Sequence, residues 1–187
     1  MLEGELVRLR AIEPEDRDHA AVWLADPEVT RYLTYRYPSS QGALGLHGDW
    51  LAEGWENSFA NGVRLSIETK GGVHIGGINL HRIHPEDRKA GLGIVIGSRE
   101  HWGKGYGRDA VATLLRFAFD EMNLNRVWLT VVDEHAPAIA CYKRCGFQEE
   151  ARLRQEFYKN GRYYDFIQMG ILRRDFDALR AKGGGDA

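Results

Sequence analysis

The chain has 187 residues and a hydrophobic content of 43%, which suits one domain with a substantial core. Lysine and arginine number 25 against 27 aspartates and glutamates, a formal net charge of −2. No basic stripe therefore argues for nucleic acid, and no acidic tail for a cationic scaffold. The N-terminus lacks a basic region followed by an apolar run, and no segment approaches the length of a membrane span, so a cytoplasmic protein without membrane attachment is expected.

In chain order, Leu6 to Ile12 alternates apolar and polar residues and predicts a first strand. Pro14 opens a helix that runs to Ala25 and is broken by Asp26-Pro27. Val29 to Tyr37 is short and aromatic, with Tyr32, Tyr35 and Tyr37. A further helix starts at Pro38 and passes through Trp50 and Leu51, weakened by Gly42, Gly45 and Gly48. Val63, Leu65 and Ile67 alternate as a strand, Gly71-Gly72 makes a hairpin turn, and Val73 to Arg82 returns. After a turn around Pro85, Ala90 to Gly97 is short, apolar and β-branched, the pattern of a buried strand. Ala110 to Met122 carries Val111, Leu114, Leu115 and Ala118 on one helical face. Arg126 to Val132 is a strand, and Ala136 to Cys145 is a helix ended by Gly146. Phe147 to Tyr158 and Arg162 to Leu172 form a hairpin about Lys159-Asn160-Gly161, and 173 to 180 a short helix.

No repeat or linker interrupts this order. The expectation is one α+β domain over residues 1–180, with a mixed, mostly antiparallel sheet of about seven strands flanked by about four helices. Residues 181–187, glycine-rich and without apolar surface, are expected to form a flexible tail.

The stretch that organises the chain lies between the strand at 90–97 and the helix behind it. Gly103, Gly105 and Gly107 sit in that strand-to-helix turn, where absent Cβ atoms let a ligand approach the backbone. The free N–H groups of the turn and the positive helix end suit a phosphate or pyrophosphate. Lys104 and Arg108 add positive charge. The spacing is not that of a P-loop, and Arg108 occupies the third glycine position of a dinucleotide fingerprint.

The run from Trp102 to Ala110 resembles the acetyl-CoA pyrophosphate loop of the GNAT superfamily of N-acetyltransferases, Arg/Gln-x-x-Gly-x-Gly/Ala. A second block, Val131 to Phe147, resembles that family's strand followed by Asn-x-x-(Ala/Ser)-Ile-x-x-Tyr-x-x-x-Gly-Phe. The opening Leu6 to Arg10 and the late Asn160 to Asp165 suit the branch of ribosomal-protein N-terminal and spermidine acetyltransferases. The resemblance spans roughly residues 5 to 172 and implies a GNAT-like fold with acetyl-CoA as co-substrate and no metal.

On this resemblance the cofactor-binding residues are Val95, Ile96, Gly97, Trp102, Gly103, Lys104, Gly105, Tyr106, Gly107, Arg108 and His135. A bulge at Val95–Gly97 would splay the strand and free a backbone N–H for the thioester oxygen. Tyr142 matches the family tyrosine that protonates the departing thiolate; a phenol near ~10 and a thiol near ~8.5 are close enough for that transfer. His135 replaces the usual Asn, which would make cofactor binding pH-sensitive. Trp102 replaces the Arg or Gln that opens the loop pattern.

Direct attack of a primary amine on the thioester also needs the amine neutral. Glu68, His74, His81, His84, Asp133 and Glu134 are all candidate bases, with no ground in the sequence for choosing. Acceptor specificity is expected in the first two helices and the hairpin at 156–165. Tyr32, Tyr35, Tyr37, Trp50 and Trp55 line that pocket or underlie the helices, while Asp49, Glu53 and Glu56 supply acid. The first expectation for the acceptor is a peptide N-terminal α-amine. A polyamine or aminoglycoside is the alternative, and a non-catalytic acyl-CoA sensor the reading from another class. A homodimer is expected from the branch. Cys141 and Cys145, one helical turn apart, are expected to be buried structural thiols and not a disulfide or zinc site.

Overall fold

The computed structural model describes residues 1–34 and 62–183. The helix expected from Pro38 through Leu51, together with Tyr35, Tyr37, Trp50, Trp55, Asp49, Glu53 and Glu56, lies outside the described residues, as do 184–187. Eight strands form one sheet: β1 (Leu2–Glu3), β2 (Val7–Arg10), β3 (Val63–Thr69), β4 (His74–His84), β5 (Lys89–Ile96), β6 (Arg126–Val132), β7 (Gln148–Lys159) and β8 (Arg162–Leu172), in the order β1-β2-β3-β4-β5-β6-β8-β7. Every neighbouring pair is antiparallel except β5–β6, which is parallel. Among the described residues five α-helices accompany it: α1 (Asp16–Ala25), α2 (Pro27–Thr30), α3 (Tyr106–Arg116), α4 (Ala136–Arg144) and α5 (Arg173–Gly183).

The α+β, mostly antiparallel architecture matches the sequence reading; the extra elements are short ones. β1 is two residues paired with Leu9 and Arg8, and α2 is a single turn started by the Asp26 side chain accepting the Glu28 N–H. The first strand is shorter than its alternation suggests. The N–H groups of Glu5, Leu6 and Val7 all donate to the Asp109 carboxylate, at 3.0, 2.8 and 2.9 Å, which ties the chain's beginning to the start of α3. Residues 181–183, expected in the tail, continue α5.

Alternation decides which face each strand side chain takes. Val7, Leu9, Ile67, Ile78, Leu80, Ala90, Leu92, Val127, Leu129, Met169 and Ile171 are buried together with Val111, Leu114, Leu115 and Phe119 of α3 and its continuation. Each of these side chains larger than Ala90 contributes about 1.5–3 kcal/mol through burial. The opposite face carries Arg10, Ser66, Asn79, His81, Gly91, Gly93, Gly97 and Trp128, and α1 packs there. Ser66 Oγ donates to buried Asp16 at 2.6 Å, and a Cβ on Gly97 would collide with the Trp23 ring.

Candidate active site

β5 and β6 pair only over Lys89↔Arg126, Ala90↔Val127 and Gly91↔Trp128. Beyond Gly91 they diverge, and the edge of β5 from Leu92 to Ile96 loses its β6 partner. The expected bulge at Val95–Gly97 is not what opens it. The β4–β5 register runs unbroken from Gly76↔Ile96 to His81↔Gly91, and its shift lies at His81–His84. The Gly97 N–H is not free either: it donates to the Ile75 carbonyl at 2.9 Å, and the Ser98 N–H meets the same oxygen at 3.2 Å. Strand alternation then directs the Val95 N–H to β4 as well and leaves Ile94 and Ile96 facing the parted edge. The Ile96 carbonyl is taken by Trp102 Nε1 at 2.7 Å, so Trp102 clamps the strand end, with Arg99 over its ring at 5.8 Å. Sequence reasoning had no signal for that clamp.

The glycine turn sits at the mouth of this cleft. Gly103 and Gly105 have φ of 72° and 91°, in the left-handed region that favours glycine. Gly105 caps α3 with no side chain bonded to the helix end, and the first N–H groups of a helix have no partner within it. Gly103 has open space where a Cβ would stand, and Gly107 only an ordinary contact with Ile96 Cγ1 at 3.6 Å. Lys104 and Arg108 are exposed beside them, and Tyr106 packs edge-on to His101 at 5.3 Å. Backbone donors, helix end and cations thus converge as a pyrophosphate needs.

α4 borders the cleft. Tyr142 packs edge-on to Phe147 at 5.9 Å, and burial pushes its phenol well above the ordinary value. Its proton therefore stays in place at any working pH, and the rise widens the gap to the thiol that a proton transfer would have to cross. His135 is the residue before α4, its ring tilted by 40° against Tyr32 at 4.5 Å between ring centroids. Burial holds its pKa below the usual histidine value. Cys141 and Cys145 are free thiols, and Cys145 Sγ donates to the Arg108 carbonyl at 3.7 Å, linking α4 to α3.

Most candidate bases are already engaged. Glu68 accepts Arg10 Nε at 2.7 Å. Asp133 accepts Arg152 at 3.0 Å, and Glu134 accepts Arg162 at 2.5 Å. His84 is exposed beyond the register shift. His74 is enclosed: Nδ1 meets Asp16 at 3.0 Å and His19 at 3.1 Å, and Nε2 meets the Gly76 carbonyl at 2.9 Å. Asp16, His19 and His74 converge in the manner of metal ligands. However, the Asp16 carboxylate is filled by Arg10 at 2.8 and 2.9 Å, Ser66 and the Glu13 N–H, so the guanidinium already supplies the balancing charge. His81 is the exception: Nδ1 meets Asn79 Oδ1 at 3.3 Å, and its ring lies over Gly91.

On the acceptor side, Lys159 reaches from the β7–β8 hairpin to the carbonyls of Thr30 and Leu33 at 2.5 and 3.0 Å, joining the hairpin to α2 and the turn after it. No helix among the described residues is long and apolar enough to cross a membrane.

A parallel strand pair that parts beyond Gly91, with a glycine turn and the start of α3 following β5, is the arrangement that the resemblance implies for an acetyl-CoA-dependent transferase. The family model described as "Acetyltransferase (GNAT) domain" matches residues 7–148, and the chain belongs to that family. It is therefore an N-acetyltransferase that uses acetyl-CoA. The uncharacterized N-acetyltransferase p20 of Bacillus licheniformis is 31% identical over 94% of this chain and 97% of that protein. The spermidine N(1)-acetyltransferase of Escherichia coli K12 is 33% identical over 94% and 91%. Among solved structures, spermidine N-acetyltransferase from Vibrio cholerae in complex with CoA and spermine matches with a TM-score of 0.79 at 29% identity, covering 91% of this chain and 98% of that one.

Proposed function

We propose that the chain transfers the acetyl group of acetyl-CoA to a primary amine of a polyamine. What carries the reading is the near full-length likeness to spermidine acetyltransferases, in sequence and in fold. It supports the polyamine alternative over the peptide N-terminal α-amine expected first from the sequence.

Acetyl-CoA supplies the activated acetyl thioester. Gly103 to Arg108, with the N-terminus of α3, hold its pyrophosphate. The outward N–H groups of Ile94 and Ile96 take an extended arm along the opened edge of β5, as a strand would be taken, and one of them stabilises the oxyanion. Tyr142 donates the proton that the departing thiolate needs. Thiol release measured with spermidine, spermine and N-terminal peptides tests the reading. A kcat/KM for a polyamine at least about tenfold above that for any peptide, ~1.4 kcal/mol in transition-state binding, is expected. The reverse order would restore the peptide acceptor.

A further inference from the structure

We propose that His81 is the general base, its Nε2 accepting the proton of the incoming amine where β5 and β6 part. The inference rests on the acetyl-transfer reading and adds to it the group the sequence could not choose.

Gly91 forms the last pair of β5 with β6, opposite Trp128. The opened edge of β5 begins there, so the far end of an arm entering from the Gly103–Gly107 turn arrives at this apex. The His81 ring covers Gly91 on the face opposite α3: a Cβ at that position would come within 2.5 Å of Nε2. A side chain at residue 91 and this imidazole exclude each other. Gly93 makes the same allowance for Asn79, whose Oδ1 lies 2.7 Å from where a Cβ would stand. Two glycines on β5 thus form a bare floor beneath an Asn79–His81 pair on β4. Trp128 packs edge-on to the imidazole at 5.9 Å.

With the Asn79 amide turned so that Oδ1 faces the ring at 3.3 Å, Nδ1 carries the hydrogen and Nε2 presents its lone pair over Gly91. Burial lowers the imidazole's pKa, and the charges of Arg82 and Arg64 act in the same direction, so the ring is neutral at working pH. Arg64 comes from β3 opposite Asn79. β5 and β6 bring Gly91, Gly93 and Trp128, none of which titrates. Arg82, directly after His81, has a φ of 49° at the register shift of β4. Such bulges are over-represented beside active sites, where they re-aim a side chain.

Proton accounting is complete with the groups named. An ammonium acceptor loses two protons on becoming an amide. His81 Nε2 takes one and returns it to solvent. The amine nitrogen bonds to the thioester carbon, the C–S bond breaks, and the thiolate takes the Tyr142 proton. The second amine proton then restores that phenol.

The test is acetyl transfer by the full chain, using whichever amine the wild type turns over. In His81→Ala and in the bulkier His81→Gln, kcat/KM falls by about 10²–10⁴-fold, while the acetyl-CoA Kd and the unfolding midpoint stay within twofold and a few degrees of wild type. The acidic limb of the pH–rate profile, set below the ordinary histidine value of ~6.5, disappears, and added imidazole restores part of the rate to His81→Ala. His84→Ala keeps the wild-type rate and limb. Independently of turnover, nitrogen-15 NMR of the wild-type imidazole shows protonated Nδ1 and bare Nε2. Wild-type rates in both His81 variants, a retained acidic limb, or the opposite tautomer would each overturn the inference. A wild type inactive on every amine removes the acetyl-transfer reading and this inference with it, whereas activity on peptides alone removes only the polyamine acceptor.

Discussion

His74 and His81 lie on the same strand, and burial lowers the pKa of both, yet their surroundings differ in kind. His74 is closed in by Asp16, His19 and the Gly76 carbonyl, with Trp23 at 4.9 Å between ring centroids. His81 has one nitrogen bonded to Asn79 and the other over glycine. A perturbed pKa is thus no sufficient mark of chemistry. What separates the two is whether a lone pair is left for a substrate. The His74 cluster joins α1 to β2, β3 and β4, while the His81 site stands where β5 and β6 separate.

The comparison is tested hardest at Asp16. Its carboxylate is 3% exposed; burial alone would raise its pKa, but Arg10, the Glu13 N–H, Ser66 and His74 together hold it well below the ordinary carboxylate range. Asp16→Ala takes from the half-buried Arg10 guanidinium its two bonds to this carboxylate, leaving Glu68 as its main partner, and is expected to cost about 3 kcal/mol, measured by urea unfolding. A loss under about 1 kcal/mol would break the distinction, since the cluster would not then hold α1 to the sheet. The pH dependence has a definite sign. A carboxyl depressed in the fold contributes fully above its unfolded value near ~3.9 and loses that contribution as pH falls through the lower folded value. His74, also depressed, binds its proton better when unfolded, which removes stability as pH falls below ~6.5. Acid unfolding should therefore begin earlier for wild type than for a His74→Gln variant.

Next in size is Tyr142→Phe, which keeps the ring against Phe147 and removes only the proton. Turnover should fall on the order of 10²-fold, ~2.7 kcal/mol in the barrier, with acetyl-CoA affinity unchanged in calorimetry. An equal loss of affinity would make Tyr142 a packing residue like its neighbour. Smaller again is Gly105→Ala, because a φ of 91° and the Leu6 Cδ1 atom 3.3 Å from the new Cβ oppose a side chain there. We expect about 1–2 kcal/mol of lost stability and weaker acetyl-CoA binding, both read from one thermal titration.

The glycine turn, the strand before it and the tyrosine on α4 were legible in the sequence because each announces itself locally: alternate glycines, a β-branched run, a helical spacing. The GNAT assignment rested on those pieces. What stayed hidden depends on residues far apart in sequence. Nothing near Asp109 shows that it collects three N–H groups from residues 5–7. Nothing near Gly97 shows that it makes room for Trp23. The family resemblance implies a bulge on β5, with which Gly97 is consistent, but the register shift falls on β4, where Arg82 takes a positive φ without being glycine. The ion pairs that occupy Glu68, Asp133 and Glu134 join residues far apart in the chain. Nothing near Gly91 and Gly93 shows that they admit the side chains of His81 and Asn79.

The smallest expected effect concerns His135. The sequence suggests that a histidine in place of asparagine makes acetyl-CoA binding titrate near ~6.5. The structure places that ring on Tyr32, where burial holds its pKa below the usual value. With its pKa held below the ordinary value, the imidazole offers the same single N–H from pH 7.5 to pH 8.5, so the acetyl-CoA Kd should stay within about twofold across that interval. Below it, protonation puts a charge into a desolvated contact, and affinity should fall in wild type but not in His135→Asn. A Kd that already drifts several-fold between pH 7.5 and 8.5 in wild type alone would mean that His135 is solvated when the cofactor binds. The ring would then have left Tyr32, and the contact between α4 and the turn after α2 would open on binding.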